Sequence, residues 1–220
     1  MTIRGHAPAT WVAGALASFG LFALLGNLVT SHGEPLAFLA WEGSLLNHST
    51  LVAWWLTWAC YAQVLIPVCI ALFIIAALLP AWRVRIAMSV FTLLLCWRGA
   101  DFFQHYFARL RPGDWVVKHE TTFSYPSSHA AIAVGFYGLW GALFYFSELP
   151  RRVRMVAATL LAMFALAICW ARLALGAHYL TDLIGGALLA AAVVCATVAL
   201  VTAVFGRVAG PDYPKENRAV

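Results

Sequence analysis

The chain has 220 residues, of which 63% are hydrophobic and 10% charged, against about 25% charged in soluble domains. That composition excludes an ordinary soluble globular protein and describes an all-α, polytopic membrane protein. The modest net charge of +5 gives no reason to expect a nucleic-acid partner.

Apolar segments recur at roughly 11–29, 51–79, 86–108, 129–146, 153–171 and 179–204. Each is close to the about 20 residues that cross a bilayer, which predicts six transmembrane helices in one bundle. No repeat, low-complexity tract or soluble linker separates them, so residues 1–220 read as a single domain. The first segment follows Arg4, as a secretory signal would, but its apolar run continues to Val29, which favours a retained helix. The stretch 34–47 is too short to span. It suits a short helix lying in the outer interface, or an ordinary loop. Trp54, Trp55 and Trp58, near the outer end of the second segment, read as an aromatic interface belt.

In the third segment, Arg98, Asp101 and His105 share a helix stripe by their i, i+3 and i+4 spacing. The stripe is expected to face the bundle interior, with Arg98 and Asp101 neutralising each other behind Gln104 and Arg111. An ion pathway is the alternative. Cys60, Cys69, Cys96, Cys169 and Cys195 each lie in an apolar run and form no CxxC pair. They are expected to be reduced packing residues, with neither disulfide nor zinc site.

The cations orient the bundle. If all six segments span, then Arg4, Arg83, Arg85, Arg151, Arg152, Arg154, Arg207, Lys215 and Arg218 fall on one side. The positive-inside rule makes that side the cytoplasm. The loop 30–50 on the other side has no Lys or Arg. Arg109, Arg111, Lys118 and Arg172 lie on that outer side against the rule, which implies a function for them there. The expected location is the cell (inner) membrane, with the functional face toward the periplasm or exterior.

Three polar islands converge on the outer side: "QHYFARLRP" at 104–112, "YPSSHA" at 125–130 and "ARLALGAHYLTDLIGG" at 171–186. His178 and Asp182 lie one helical turn apart. The carboxylate can hold one imidazole nitrogen and present the other as nucleophile or base. Pro126, Ser127, Ser128 and His129 open the fourth helix, whose first backbone N–H groups point at an anion. Arg111 and Arg172 are permanently charged planar forks suited to phosphate oxygens. Taken singly, each has a plainer reading: a packing histidine, a snorkelling arginine, half of a metal site. Together they describe a site for an anion that reacts.

These residues resemble the motifs of the type 2 phosphatidic acid phosphatase (PAP2) superfamily, whose membrane members have six helices. The family pattern is Lys, six residues, Arg-Pro; then Pro-Ser-Gly-His; then Ser-Arg, five residues, His, three residues, Asp. Here Gln104 precedes Arg111-Pro112 at that spacing, Pro126-Ser127-Ser128-His129 follows, and Ala171-Arg172, His178 and Asp182 complete the third motif. The likeness covers about residues 50–205.

The resemblance implies that His178 attacks phosphorus and Asp182 orients it. His129 would protonate the leaving oxygen and then activate water. Gln104, Arg111, Ser127, the Ser128 backbone N–H and Arg172 would hold the phosphoryl oxygens. No metal and no cofactor is implied. Gln104, Ser128 and Ala171 depart from the pattern. Gln104 removes a charge; Lys118, in the loop between the first two motifs, either supplies it or is an ordinary solvated loop lysine. Gln at that position, with a sequence like "GAHYLTD", also resembles members that transfer phosphate from undecaprenyl diphosphate to lipid A. The implied function is a membrane phosphatase or phosphotransferase acting on a lipid phosphate or isoprenoid diphosphate. A transporter built on the Arg98 stripe, or a non-catalytic lipid-phosphate binder, is the reading from another class.

Overall fold

The computed structural model describes residues 8–46, 50–113 and 121–205. Among them there are helices and no strands, as the bilayer requires of a chain that must satisfy its backbone polar groups within each segment. The helices are α1 (Pro8–His32), α2 (Leu36–Leu45), α3 (Thr50–Trp58), α4 (Ala62–Leu78), α5 (Arg83–Phe107), α6 (Ser128–Ile132), α7 (Leu139–Tyr145), α8 (Arg151–Ala174) and α9 (Leu180–Phe205). A π-helical turn, Ala133–Gly138, joins α6 to α7 without a break.

Helix α9 is the axis of the bundle: α1, α5 and α6 pack on it, while α8 packs on α3 and α7. Phe22 and Val29 of α1, Cys96 and Ala100 of α5, and Leu189 and Ala190 of α9 close one buried cluster. Four stretches, α1, 80–107, α8 and α9, are each long and apolar enough to cross a membrane, and α3 with α4 makes a fifth. The expected fourth segment, 129–146, is the helical run 128–145 through α6 and α7. It is largely buried in the bundle and carries the polar Ser128 and His129 at its start.

The structure corrects two expectations. The second segment is not one straight helix: α3 and α4 meet at 43°. Between them the N–H groups of Ala59, Cys60 and Tyr61 reach back three residues, to Leu56, Thr57 and Trp58, in place of α-helical bonds. The break lets α3 seat Ala53 on Ala171 and Ala174 of α8, while Cys60 and Leu65 pack into a different cluster.

The Arg98 stripe, in turn, faces outward. Arg98 and Asp101 are 4.0 Å apart with side chains 77% and 47% exposed, and His105 is exposed beside the Asp101 carbonyl. The inner face of α5 is instead Ser89, Leu93, Cys96, Ala100 and Gln104, spaced by three and four. That leaves positions 98, 101 and 105 on the opposite side, so the stripe has no interior along which to conduct an ion. Arg85, counted among the inner cations, is buried with its guanidinium over Trp82 at 5.2 Å.

The end of the bundle that carries the polar islands is drawn together where the loop before α6 lies on α9. A Cβ at Gly186 would stand 2.5 Å from the Ser127 carbonyl oxygen and 2.9 Å from the Ala130 Cβ. We expect Gly186→Ala to destabilise the protein by about 1–3 kcal/mol through overpacking. Gly99→Ala, whose Cβ would meet only Leu189 at 3.9 Å, should be neutral or gain up to about 1 kcal/mol of helix propensity. Thermal unfolding of both variants in detergent checks the pair.

Candidate active site

Each polar island is delivered by a specific local device. Helix α5 closes with the Ala108 N–H on the Gln104 carbonyl, and Ala108 then turns left-handed (φ 48°), a conformation uncommon outside Gly, Asn and Asp. That turn swings Arg109 and Arg111 back over the helix ends. Helix α8 closes at Gly176 (φ 65°) with Gly176 N–H on Leu173 O and Ala177 N–H on Arg172 O. This is the paired-bond helix stop that favours glycine, and it presents His178 immediately before α9.

At the start of α9, Asp182 reaches back to the Tyr179 N–H with Oδ2 (2.9 Å), as the acidic member of a capping box does. The same oxygen faces His178 Nδ1 at 3.4 Å. Its other oxygen accepts from Arg109 at 2.5 Å and from the Ser124 hydroxyl at 3.4 Å. Asp182 is 0% exposed, so these donors replace water.

His178 Nε2 lies 3.1 Å from Arg111 Nη1. A guanidinium can only donate, so Nε2 is the acceptor and carries the lone pair that a nucleophile needs. Nδ1 is then the nitrogen that bears hydrogen, toward Asp182. Arg111 is itself pinned by the Thr122 carbonyl (2.8 Å), the Thr122 hydroxyl (2.7 Å) and the Ala177 carbonyl (2.9 Å).

The second island is tied to the third: the Ser127 N–H donates to the Asp182 carbonyl at 3.0 Å. The Ser127 hydroxyl caps α6 by accepting from the Ala130 N–H, which leaves its own hydrogen to donate. Ser128, the first residue of α6, is half-buried. His129 is buried, and neither of its ring nitrogens has a hydrogen-bond partner among the described residues. It lies within charge reach of Arg172, His178 and Arg111. Arg172 is 1% exposed and its guanidinium approaches the Thr57 hydroxyl of α3 at 3.5 Å.

Gln104 was expected among the phosphate-binding residues. It is buried, and its side-chain amide donates to the Pro126 carbonyl at 3.0 Å, bracing the loop that carries Ser127 and His129. Lys118 lies outside the described residues.

Sequence reasoning also missed residues. Arg109 had been noted only as an outer cation, yet it binds Asp182, Glu34 (2.8 Å) and the Thr181 hydroxyl (2.8 Å), with its guanidinium over the Tyr179 ring at 4.3 Å. Glu34 and Glu42 were not singled out. Two acids in an otherwise cation-free interfacial stretch were the available signal. Trp58 is more than a belt residue: it packs edge-on against Tyr61, which packs edge-on against His129. The bend after α3 makes that chain possible. A cavity of about 280 Å³ opens beside His178, walled by Tyr179, Leu39 and Glu42 of α2, Pro112 and Leu173. Among the described residues no group of three His, Cys, Asp or Glu side chains is arranged to hold a metal.

Comparisons with known proteins bear on the family and the fold. The family profile of the PAP2 superfamily matches residues 84–205. Among solved structures, the chain is similar to the crystal structure of the first transmembrane PAP2 type phosphatidylglycerolphosphate phosphatase from Bacillus subtilis. The two share 17% identity at a TM-score of 0.66, over 87% of this chain and 96% of that one. No curated protein matches the chain. The matched residues take in all three polar islands and more than half of the sequence, and the chain therefore belongs to the PAP2 superfamily, with several helices long and apolar enough to cross a membrane.

Proposed function

We propose that the protein cleaves a lipid phosphate or an isoprenoid diphosphate such as undecaprenyl diphosphate, through a phosphohistidine on His178, at the extracytoplasmic face of the cell membrane. The observation that carries this reading is the contrast between two buried imidazoles. His178 is oriented at both nitrogens, by Asp182 and Arg111. His129, in the same charge field, is bonded at neither. Buried polar groups are nearly always satisfied, so an unsatisfied imidazole beside fixed arginines is a place for a ligand that brings its own oxygens.

In the first step His178 Nε2 forms a bond to phosphorus and the bond from phosphorus to the leaving oxygen breaks. His129 gives that oxygen a proton, and the negative charge of the phosphate favours the protonated imidazole this needs. In the second step His129 takes a proton from water as the water oxygen attacks phosphorus. The phosphorus–nitrogen bond then breaks and inorganic phosphate leaves. Arg111 and Arg172 meet the charge that grows on the phosphoryl oxygens, in surroundings where fixed charges act more strongly than in water. The Ser127 hydroxyl and the Ser128 backbone N–H at the start of α6 are the further donors. The Bacillus protein's phosphatidylglycerolphosphate belongs to the same chemical class of substrate, a phosphate at the end of an apolar anchor. Gln104, bonded to Pro126, gives no support to a preference for lipid-to-lipid transfer. Such transfer becomes an outcome of the assay.

Purified wild-type protein, given labelled undecaprenyl diphosphate, phosphatidic acid or phosphatidylglycerolphosphate with and without lipid A, is expected to release inorganic phosphate from at least one donor. His178→Ala and His129→Ala should each lower kcat by about 10³-fold or more while unfolding at the wild-type temperature. Wild-type rates in His178→Ala would remove the nucleophile assignment. Label appearing on lipid A in place of free phosphate would change hydrolase to transferase.

The outward placing of the site rests on the arginines at 83, 151, 152 and 154 at the opposite helix ends. In a background without native cysteines, Gly113→Cys should react with a membrane-impermeant maleimide in intact spheroplasts, and Arg152→Cys should react only after lysis. The reverse pattern would turn the site to the cytoplasm.

A further inference from the structure

Chemistry at His178 and Asp182 leaves two buried carboxyl groups without a role. Glu34, with a side chain 1% exposed, stands just before α2, and Glu42 is buried on α2 itself. Both turn away from water onto the first turn of α9. Glu42 Oε1 accepts the Leu180 N–H at 2.6 Å, and Glu34 Oε1 accepts the Thr181 N–H at 3.3 Å. Glu34 Oε2 takes the Thr181 hydroxyl and Arg109. Arg109 in turn holds Asp182. Helix α2 is otherwise anchored by apolar residues, with Leu36, Leu39 and Trp41 directed outward. Glu34 and Glu42, together with Leu45 packed on Leu173 and Leu183, bind this interfacial segment to the catalytic helix.

We propose that Glu34 and Glu42 are positioning residues, which fix Asp182 behind His178 through the first amides of α9 and through Arg109, and that a hydrogen shared between the two carboxyls makes turnover fall in alkaline solution. This rests on the His178–Asp182 reading above.

The two carboxyls converge on the adjacent Leu180 and Thr181 amides, and two carboxyls held side by side can share a hydrogen only while one keeps its proton. Burial pushes the Glu42 carboxyl up, the Leu180 N–H draws it back, and the charges of Glu34 and Asp182 push it up again, to about 7. The ionisable groups around Glu42 are Glu34 beside it, Arg109 and Arg111 from the segment after α5, and His178, Tyr179 and Asp182 from the approach to α9. Below about 7, Glu42 is neutral and Glu34 shares Arg109 with Asp182. Above it, a second charge appears beside Glu34, repels Asp182 and competes for the same guanidinium. The sign follows from the raised value: the ionised form is disfavoured in the folded protein, so its effect is absent in acid and complete once pH has passed about 7. The contact at stake, Asp182 to His178, is already long at 3.4 Å.

The test uses full-length protein in mixed micelles with phosphatidic acid as probe, measuring kcat and KM from acid to alkaline pH. Glu42→Gln keeps an acceptor for Leu180 and a donor for Glu34 but cannot ionise. It is expected to move the alkaline limb of kcat up by about one pH unit or more, each profile being scaled to its own maximum. Glu34→Gln is expected to lower kcat about tenfold with KM within about twofold, because it weakens the hold on Arg109 without touching the phosphate. A Glu42→Gln profile that superimposes on an active wild type overturns the proposal. If the wild type hydrolyses no lipid phosphate, the His178 reading itself fails, and infrared titration then decides the carboxyl pair. A protonated carboxyl band that fades as pH rises through about 7, and is missing in Glu42→Gln, supports the pair. Its absence from the wild type overturns it.

Discussion

A carboxylate with no exposure to water governs the polar end of this bundle. An ionised group buried in surroundings this apolar costs several kcal/mol unless partners replace its hydration. Asp182 collects Arg109, the Tyr179 N–H, the Ser124 hydroxyl and His178. These donors come from three different pieces of backbone. Arg109 depends on the left-handed turn at Ala108, Tyr179 and His178 on the helix stop at Gly176, and Ser124 on the loop that also delivers His129. The backbone of the same residue holds that loop through Ser127. Meeting the cost of one buried charge thus brings three distant segments into register.

The same arrangement explains how a small apolar protein can offer a reactive site without losing its fold. The helices below the site bury small and aliphatic side chains against α9, so the polar groups are confined to one end. There, the arginines are fixed by carbonyls and hydroxyls before any substrate arrives. Arg111 in particular is held by Thr122 and Ala177. Preorganised charge of this kind needs little rearrangement when negative charge develops on a phosphoryl group.

Much of this was legible in the sequence. Runs of apolar residues announced the spans, and the four-residue spacing of His178 and Asp182 announced their contact, although His178 stands just before α9 and not on its face. Charged residues at membrane depth, in three islands on the same side, announced a site. What could not be read were features decided by packing between segments. The apolar run 51–79 contains no marker for the bend after Trp58, because its residues tolerate either path. The face of α5 was misassigned since Arg98, Asp101 and His105 are as periodic as the small residues opposite them, and only the partners of α5 decide which face is buried. Gln104 was aligned with a cation by spacing, whereas its neighbour in space is the Pro126 carbonyl. Arg109, Glu34 and Glu42 were invisible as a set because their contacts join positions about 75 to 147 residues apart.

The central claim is that the lone pair on His178 Nε2 becomes a bond to phosphorus. Rapid mixing of enzyme with substrate labelled in the phosphoryl group, quenched in alkaline denaturant and followed by peptide mapping, tests it most directly. Label held through alkali, released by acid and confined to the peptide that contains His178 is the expected result. Phosphate released during steady turnover, with no label on the protein at any time or with label on another residue, would contradict it.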